Sequence, residues 1–165
     1  MGSERLRVHG NRIIRKMPCY TSTIAYGAGD LVGTKITFSD VITADQGGGS
    51  IKSLVLTDKS KQNSKLDLLL FDEEFSTGTG TKWATGDNGA LVVADSDAVN
   101  CIGIVNLATG DYSVLSANSI ANTEVDIPFY LSGRHMFGLL VARGTPTYTS
   151  TVDLQLALGI ERDNN

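Results

Sequence analysis

Composition and turn chemistry predict an all-β chain, a β-sandwich of about eight to ten short strands. Three observations carry that expectation. The 165 residues include 18 glycines but only 3 prolines, and 41% are hydrophobic against 19% charged. That balance suits one folded core with many turns. Extended stretches recur between turn clusters, with no sustained helical period. The last stretch is the strictest: Val152, Leu154, Leu156, Leu158 and Ile160 share one face, and Thr151, Asp153, Gln155, Ala157 and Gly159 the other.

Each element follows in order. Met1 to Met17 alternates weakly through Leu6, Val8, Ile13 and Ile14, and has no helix cap. Residues 1–17 are read as an extended basic N-terminal arm that needs a surface to lie on. Pro18 closes it, and residues 18–165 form the single sandwich domain. Tyr20–Tyr26 is extended and ends in the turn Gly27-Ala28-Gly29-Asp30. Leu31–Ser39 places Ile36 and Phe38 on one face. Gly47-Gly48-Gly49 reads as a flexible loop before Ile51–Thr57. In Lys65–Phe71, Leu66, Leu68 and Leu70 share one face, and Leu69 and Phe71 the other. These last two strands are expected centrally, buried on both faces.

Asp72–Thr85 is irregular, and Asn88-Gly89 predicts a type I′ turn. Ala90–Ala94 and Cys101–Leu107 are short strands. Ala108–Glu124 favours an irregular extended piece with Tyr112 and Val114 inward. Val125–Leu131 is a strand whose Pro128 marks an edge. Met136–Arg143 is apolar and central, and Gly144-Thr145-Pro146 turns the chain into the final strand.

Charge is unevenly placed. Residues 1–16 hold Arg5, Arg7, Arg12, Arg15 and Lys16 against Glu4, a net of +4, whereas the remainder nets −8. A basic arm on an acidic body concerns partners rather than fold. The arm's charges are sparse and interleaved with apolar residues, so an acidic protein neighbour fits better than nucleic acid. A sixteen-residue extended arm reaches roughly 50 Å, and its removal is expected to leave the domain folded. No apolar run approaches the roughly 18 residues that cross a membrane.

Catalytic signatures are missing. His9 and His135 are the two histidines, and no nucleophile elbow accompanies them. There is no paired Cys or His spacing for zinc. Asp72-Glu73-Glu74 and Asp95-x-Asp97 offer oxygens for calcium, but short acidic loops are generally solvated turns. Cys101 is expected to be a buried free thiol, and a Cys19–Cys101 disulfide is not called for. The expectation is a non-enzymatic protein with no cofactor or metal. Trp83, in a Gly/Thr-rich loop, covers a core edge or subunit contact, or stacks on a sugar ring.

Several segments carry a resemblance: Ala25-Tyr26-Gly27-Ala28-Gly29-Asp30-Leu31-Val32-Gly33, residues 48–59, Leu68-Leu69-Leu70-Phe71-Asp72, Ile102-Gly103-Ile104-Val105 and Ala142-Arg143-Gly144-Thr145-Pro146-Thr147-Tyr148. Across about residues 18–162 the chain is similar to a family of small tailed-phage virion proteins that decorate, or cement, the head. The resemblance implies a jelly-roll-like sandwich, often a homotrimer, bound to the major capsid protein. It would sit on the capsid exterior after assembly in the host cytoplasm. Similar proteins tend to begin near Met17-Pro18, so residues 1–16 look like an extension. The expected partner contacts are Arg5, Arg7, Arg12, Arg15, Lys16 and Trp83. A carbohydrate-binding sandwich using Trp83 is the alternative.

Overall fold

Which residues alternate inward decides how the strands stack. A computed structural model describes residues 11–75 and 87–163. Across them run β1 (Arg12–Cys19), β2 (Leu31–Phe38), β3 (Gly47–Asp58), β4 (Leu66–Phe71), the single-turn α1 (Asp95–Ala98) and β5 (Cys101–Leu107). A 3-10 turn at Thr109–Asp111 leads to β6 (Tyr112–Leu115), β7 (Asn118–Leu131), β8 (Met136–Ala142) and β9 (Leu154–Arg162). One sheet has the order β1-β9-β3-β7-β6 and the other β2-β8-β4-β5.

The pairing is nested. β1 pairs with β9, β2 with β8, β3 with β7 and β4 with β5, all antiparallel. A long antiparallel ribbon folded on itself gives this pattern, and rolling it up adds β3–β9 and β4–β8. That is a jelly roll, with β6 as a short addition beside β7. The all-β, jelly-roll-like sandwich expected from the sequence is the fold.

Inside it, Leu54 and Leu56 of β3 meet Leu66, Leu68 and Leu70 of β4, Leu140 of β8, and Leu154, Leu156, Leu158 and Ile160 of β9. β3 and β4 are internal strands of opposite sheets, and of their outward side chains only Phe71 of β4 is fully buried, Asp67 and Leu69 being half-buried. Outward Val55 and Thr57 of β3 are half-buried. The described parts of the connection from β4 to β5, residues 72–75 and 87–100, lie on the outer face of the four-stranded sheet. There Phe75, Leu91 and Val93 pack on Leu31, Phe71, Phe137 and Leu139, which explains why β8 is buried along its whole length.

Several local expectations need correction. The boundary at residues 17 and 18 falls inside β1, because Arg12–Cys19 pairs residue for residue with Glu161–Leu154. Pro18 does not end the segment; an edge strand tolerates proline. Inward Ile13, Met17 and Cys19 were disguised by Arg15, which shares their side. The glycines at 47–49 open β3 and are buried. A Cβ on Gly49 would lie 2.4 Å from the Glu161 carbonyl oxygen, so only glycine fits between the flanking strands. Tyr20–Tyr26 forms no strand, and in 90–94 Ala90 makes an isolated bridge to Asp30. Asn88 alone of Asn88-Gly89 has positive φ, so the turn is not type I′. Val114 is 62% exposed rather than inward, since among the described residues no second layer covers it. Pro128 lies in the part of β7 beyond the reach of β6, so the edge reading holds there.

Loops gather at two ends. At one, Thr21 donates its N–H to Thr151, Tyr26 to Pro146, and the Tyr112 hydroxyl to the Ser64 carbonyl. Buried Asp58 accepts from the N–H groups of Ser60 and Asn63, and Asp153 from those of Thr149 and Ser150. The opposite end carries the β2–β3 loop and the β7–β8 turn.

This architecture predicts two truncations apart. Deleting residues 1–16 removes most of the β1 ladder together with Ile13 and Arg15. It should cost about 3 kcal/mol or more in urea unfolding. Deleting residues 1–10 keeps β1 and should change stability by less than about 0.5 kcal/mol. Equal stability of the two variants would show that β1 adds nothing to the fold.

Candidate partner-binding surface

β1 sorts the basic residues by parity. Arg12, Ile14, Lys16 and Pro18 point outward and are exposed, with Ile14 64% exposed. Arg15 points inward with Ile13 and Met17. Arg12 lies 3.4 Å from the Glu161 carboxylate, an exposed pair of the kind that adds well under about 1 kcal/mol. Of the six expected contact residues, Arg12 and Lys16 therefore lie on an open face, and Arg15 does not. Arg5, Arg7 and Trp83 fall outside the described residues.

Arg15 instead reaches across to the loop that follows β2. Its Nη2 donates to the Asp40 carbonyl at 2.6 Å. Arg162, at the end of β9, donates Nη2 to the same oxygen at 2.6 Å and Nε to the Val41 carbonyl at 2.7 Å. Arg134, from the β7–β8 turn, holds the Asp40 carboxylate at 2.8 Å. The Asp40 N–H faces Nδ1 of His135 at 3.4 Å, and Val41 donates its N–H to the Arg134 carbonyl. Asp40 has φ 51°, so the chain turns there and exposes its carbonyl to the guanidiniums. Arg162 loses proton affinity mainly through burial and then through Arg15, with Asp40 opposing.

Beside this cluster lies a cleft of about 330 Å³ lined by Arg162, Asp163, Asn11, Thr43, Gln46 and Gly48. Sequence reasoning missed Arg134 and Arg162. They lie far from Arg15 in the chain; the β1–β9 pairing brings Arg162 beside it, and the β7–β8 turn brings Arg134 to the same loop.

The other candidate chemistry is dispersed. Among the described residues no three His, Cys, Asp or Glu side chains gather as a metal site. Burial raises the Asp72 carboxyl, and Asp97 is buried in α1. Cys19 and Cys101 are both free; Cys19 is the buried one and Cys101 is half-buried, the reverse of the emphasis in the sequence reading. No protein-family model and no curated protein matches the chain.

Burial also fixes an alkaline limit. It pushes the Cys19 thiol up to about 12, and raises the Tyr26, Tyr112 and Tyr148 phenols, with a hydrogen bond to Asp87 adding at Tyr26. Each group holds its proton longer folded than unfolded. Their contribution is whole below the unfolded values, 9.0 for the thiol and 10.0 for the phenols, and is lost as pH climbs past them. The urea midpoint should therefore stay flat near neutrality and fall from about pH 9 upward. In the native protein Cys101 should react with a thiol reagent well before Cys19. A midpoint unchanged at about pH 11 would contradict this.

Proposed function

We propose that this protein is a structural virion protein. It binds the outside of a tailed-phage head and stabilises it by bridging major capsid subunits, without catalysing a reaction. The observation that carries this reading is the exposed row Arg12, Ile14, Lys16 on an edge strand of the jelly roll. A flat edge with cations around an apolar side chain suits an acidic protein surface, through charge-assisted hydrogen bonds and strand addition. At the far edge of the same sheet, β6 exposes Val114 and Leu115, 62% and 48%. An apolar edge opposite a basic one supports self-association as a homotrimer with the shell on the other side. The resembling segments add support, because they fall on β2, β3, β4, β5 and the β8–β9 turn, which set the fold. Nothing on the described residues favours sugar binding.

The test uses heads of the parent phage prepared without this protein. Adding the protein should fill outer sites, visible by electron cryo-microscopy, and raise the temperature at which heads rupture. Arg12→Glu with Lys16→Glu should lower occupancy, more so as salt falls, because repulsion of exposed charges is screened by salt. Deletion of residues 1–10, which takes away Arg5 and Arg7, should lower it too. Heads that bind none of the intact protein would refute the assignment.

A further inference from the structure

The cluster around Asp40 holds more positive charge than the fold consumes. Arg15 and Arg162 converge on one carbonyl oxygen, a neutral acceptor with only a partial charge, so two full positive charges are held side by side. Among the described residues, neither has a carboxylate oxygen within 4.0 Å. The buried Nε of Arg15 has no hydrogen-bond partner among them either. A guanidinium normally spends its fork on a carboxylate or several carbonyls. Pinning a loop needs one such group; here three guanidiniums meet the Asp40–Val41 pair of residues, whose one carboxylate, that of Asp40, faces Arg134 and is half-exposed.

We propose that Arg15, Arg134 and Arg162 form a carboxylate-binding site, filled by an acidic side chain of a partner protein. The site itself is independent of the head-binding reading, which it deepens; only the source of the carboxylate rests on that reading. A planar monoanion matches the geometry, since two forks can share its two oxygens. Asp163 lines the adjoining cleft with Arg162, and its charge disfavours a phosphate dianion. The Asp40 carboxylate is the internal competitor at Arg134.

Arginine Nε–H signals of the full-length protein, followed by nuclear magnetic resonance, give the test. The probes are a capped tetraglutamate peptide, glutarate, inorganic phosphate and chloride at matched ionic strength. The peptide should shift the Arg15 and Arg162 signals saturably, and more tightly than the other three. Asp40→Asn removes the competitor, and asparagine tolerates the positive φ of residue 40. This variant should bind the peptide at least about threefold more tightly, and Arg134→Gln at least about threefold more weakly. Arg15→Gln and Arg162→Gln also release the loop carbonyls, so the decisive comparison is wild type against the other two variants. No saturable shift in wild type or Asp40→Asn, or unchanged affinity in both variants, overturns the site. Phosphate or chloride binding as tightly as the peptide overturns the carboxylate assignment, and glutarate doing so overturns a polypeptide source. Because the measurement needs no capsid, failure of the site is distinct from failure to decorate heads.

Discussion

The pairing of the first strand with the last is the constraint on which the fold depends. β9 lies between β1 and β3 and turns Leu154, Leu156, Leu158 and Ile160 into the core. Without β1 it becomes an edge, with its N–H and C=O groups open on one side. Asp153, just before β9, ties the Thr149–Ser150 turn, and Arg162, its last residue, ties the β2–β3 loop. One strand thus links both loop ends, and its register sets where each anchor falls.

The two ends use charge in opposite ways. Asp58 and Asp153 are buried, and each accepts several hydrogen bonds from its own turn, so their charge is absorbed locally. Buried carboxylates satisfied by backbone N–H groups rigidify a loop and leave little for a ligand. At the Asp40 end the guanidiniums outnumber the carboxylate they meet, and one donor atom is unmatched among the described residues. Such imbalance costs stability and is retained where something else gains from it.

Periodicity made much of this visible in the sequence. Strict alternation in 154–160 located β9, and the leucines at 66, 68 and 70 located β4. What failed did so for identifiable reasons. Arg15 broke the inward row of β1, so a strand looked like an arm. Gly47–Gly49 looked flexible because crowding between neighbouring strands demands the same residue that loops prefer. Val114 looked like core because its sequence does not say that the facing sheet stops short of β6. The Asp40 cluster was invisible because residues 15, 134 and 162 meet only once the ribbon has rolled. Arg12 and Lys16 could be seen as basic, but their separation from Arg15 is a matter of strand parity that required β1 to be recognised first.

Charged side chains on an edge strand have a simpler explanation, that they stop sheets from adding to one another. That explanation accounts for the charge of Arg12 and Lys16, but not for Ile14 between them, 64% exposed. It extends to Arg15, an inward-pointing charge on the edge strand β1, but not to Arg162, which ends the internal strand β9. Nor does loop anchoring account for them in full, because the Asp40 and Val41 carbonyls need donors, not cations, and an amide or hydroxyl would serve. Two arginines at one carbonyl are explained by folding only in their donors. Among the described residues no carboxylate pairs with either, which is the imbalance the proposed carboxylate site would relieve. The basic edge and the basic end are therefore separate features of the fold, one set by strand parity in β1 and the other by the convergence of loops and strand ends on Asp40.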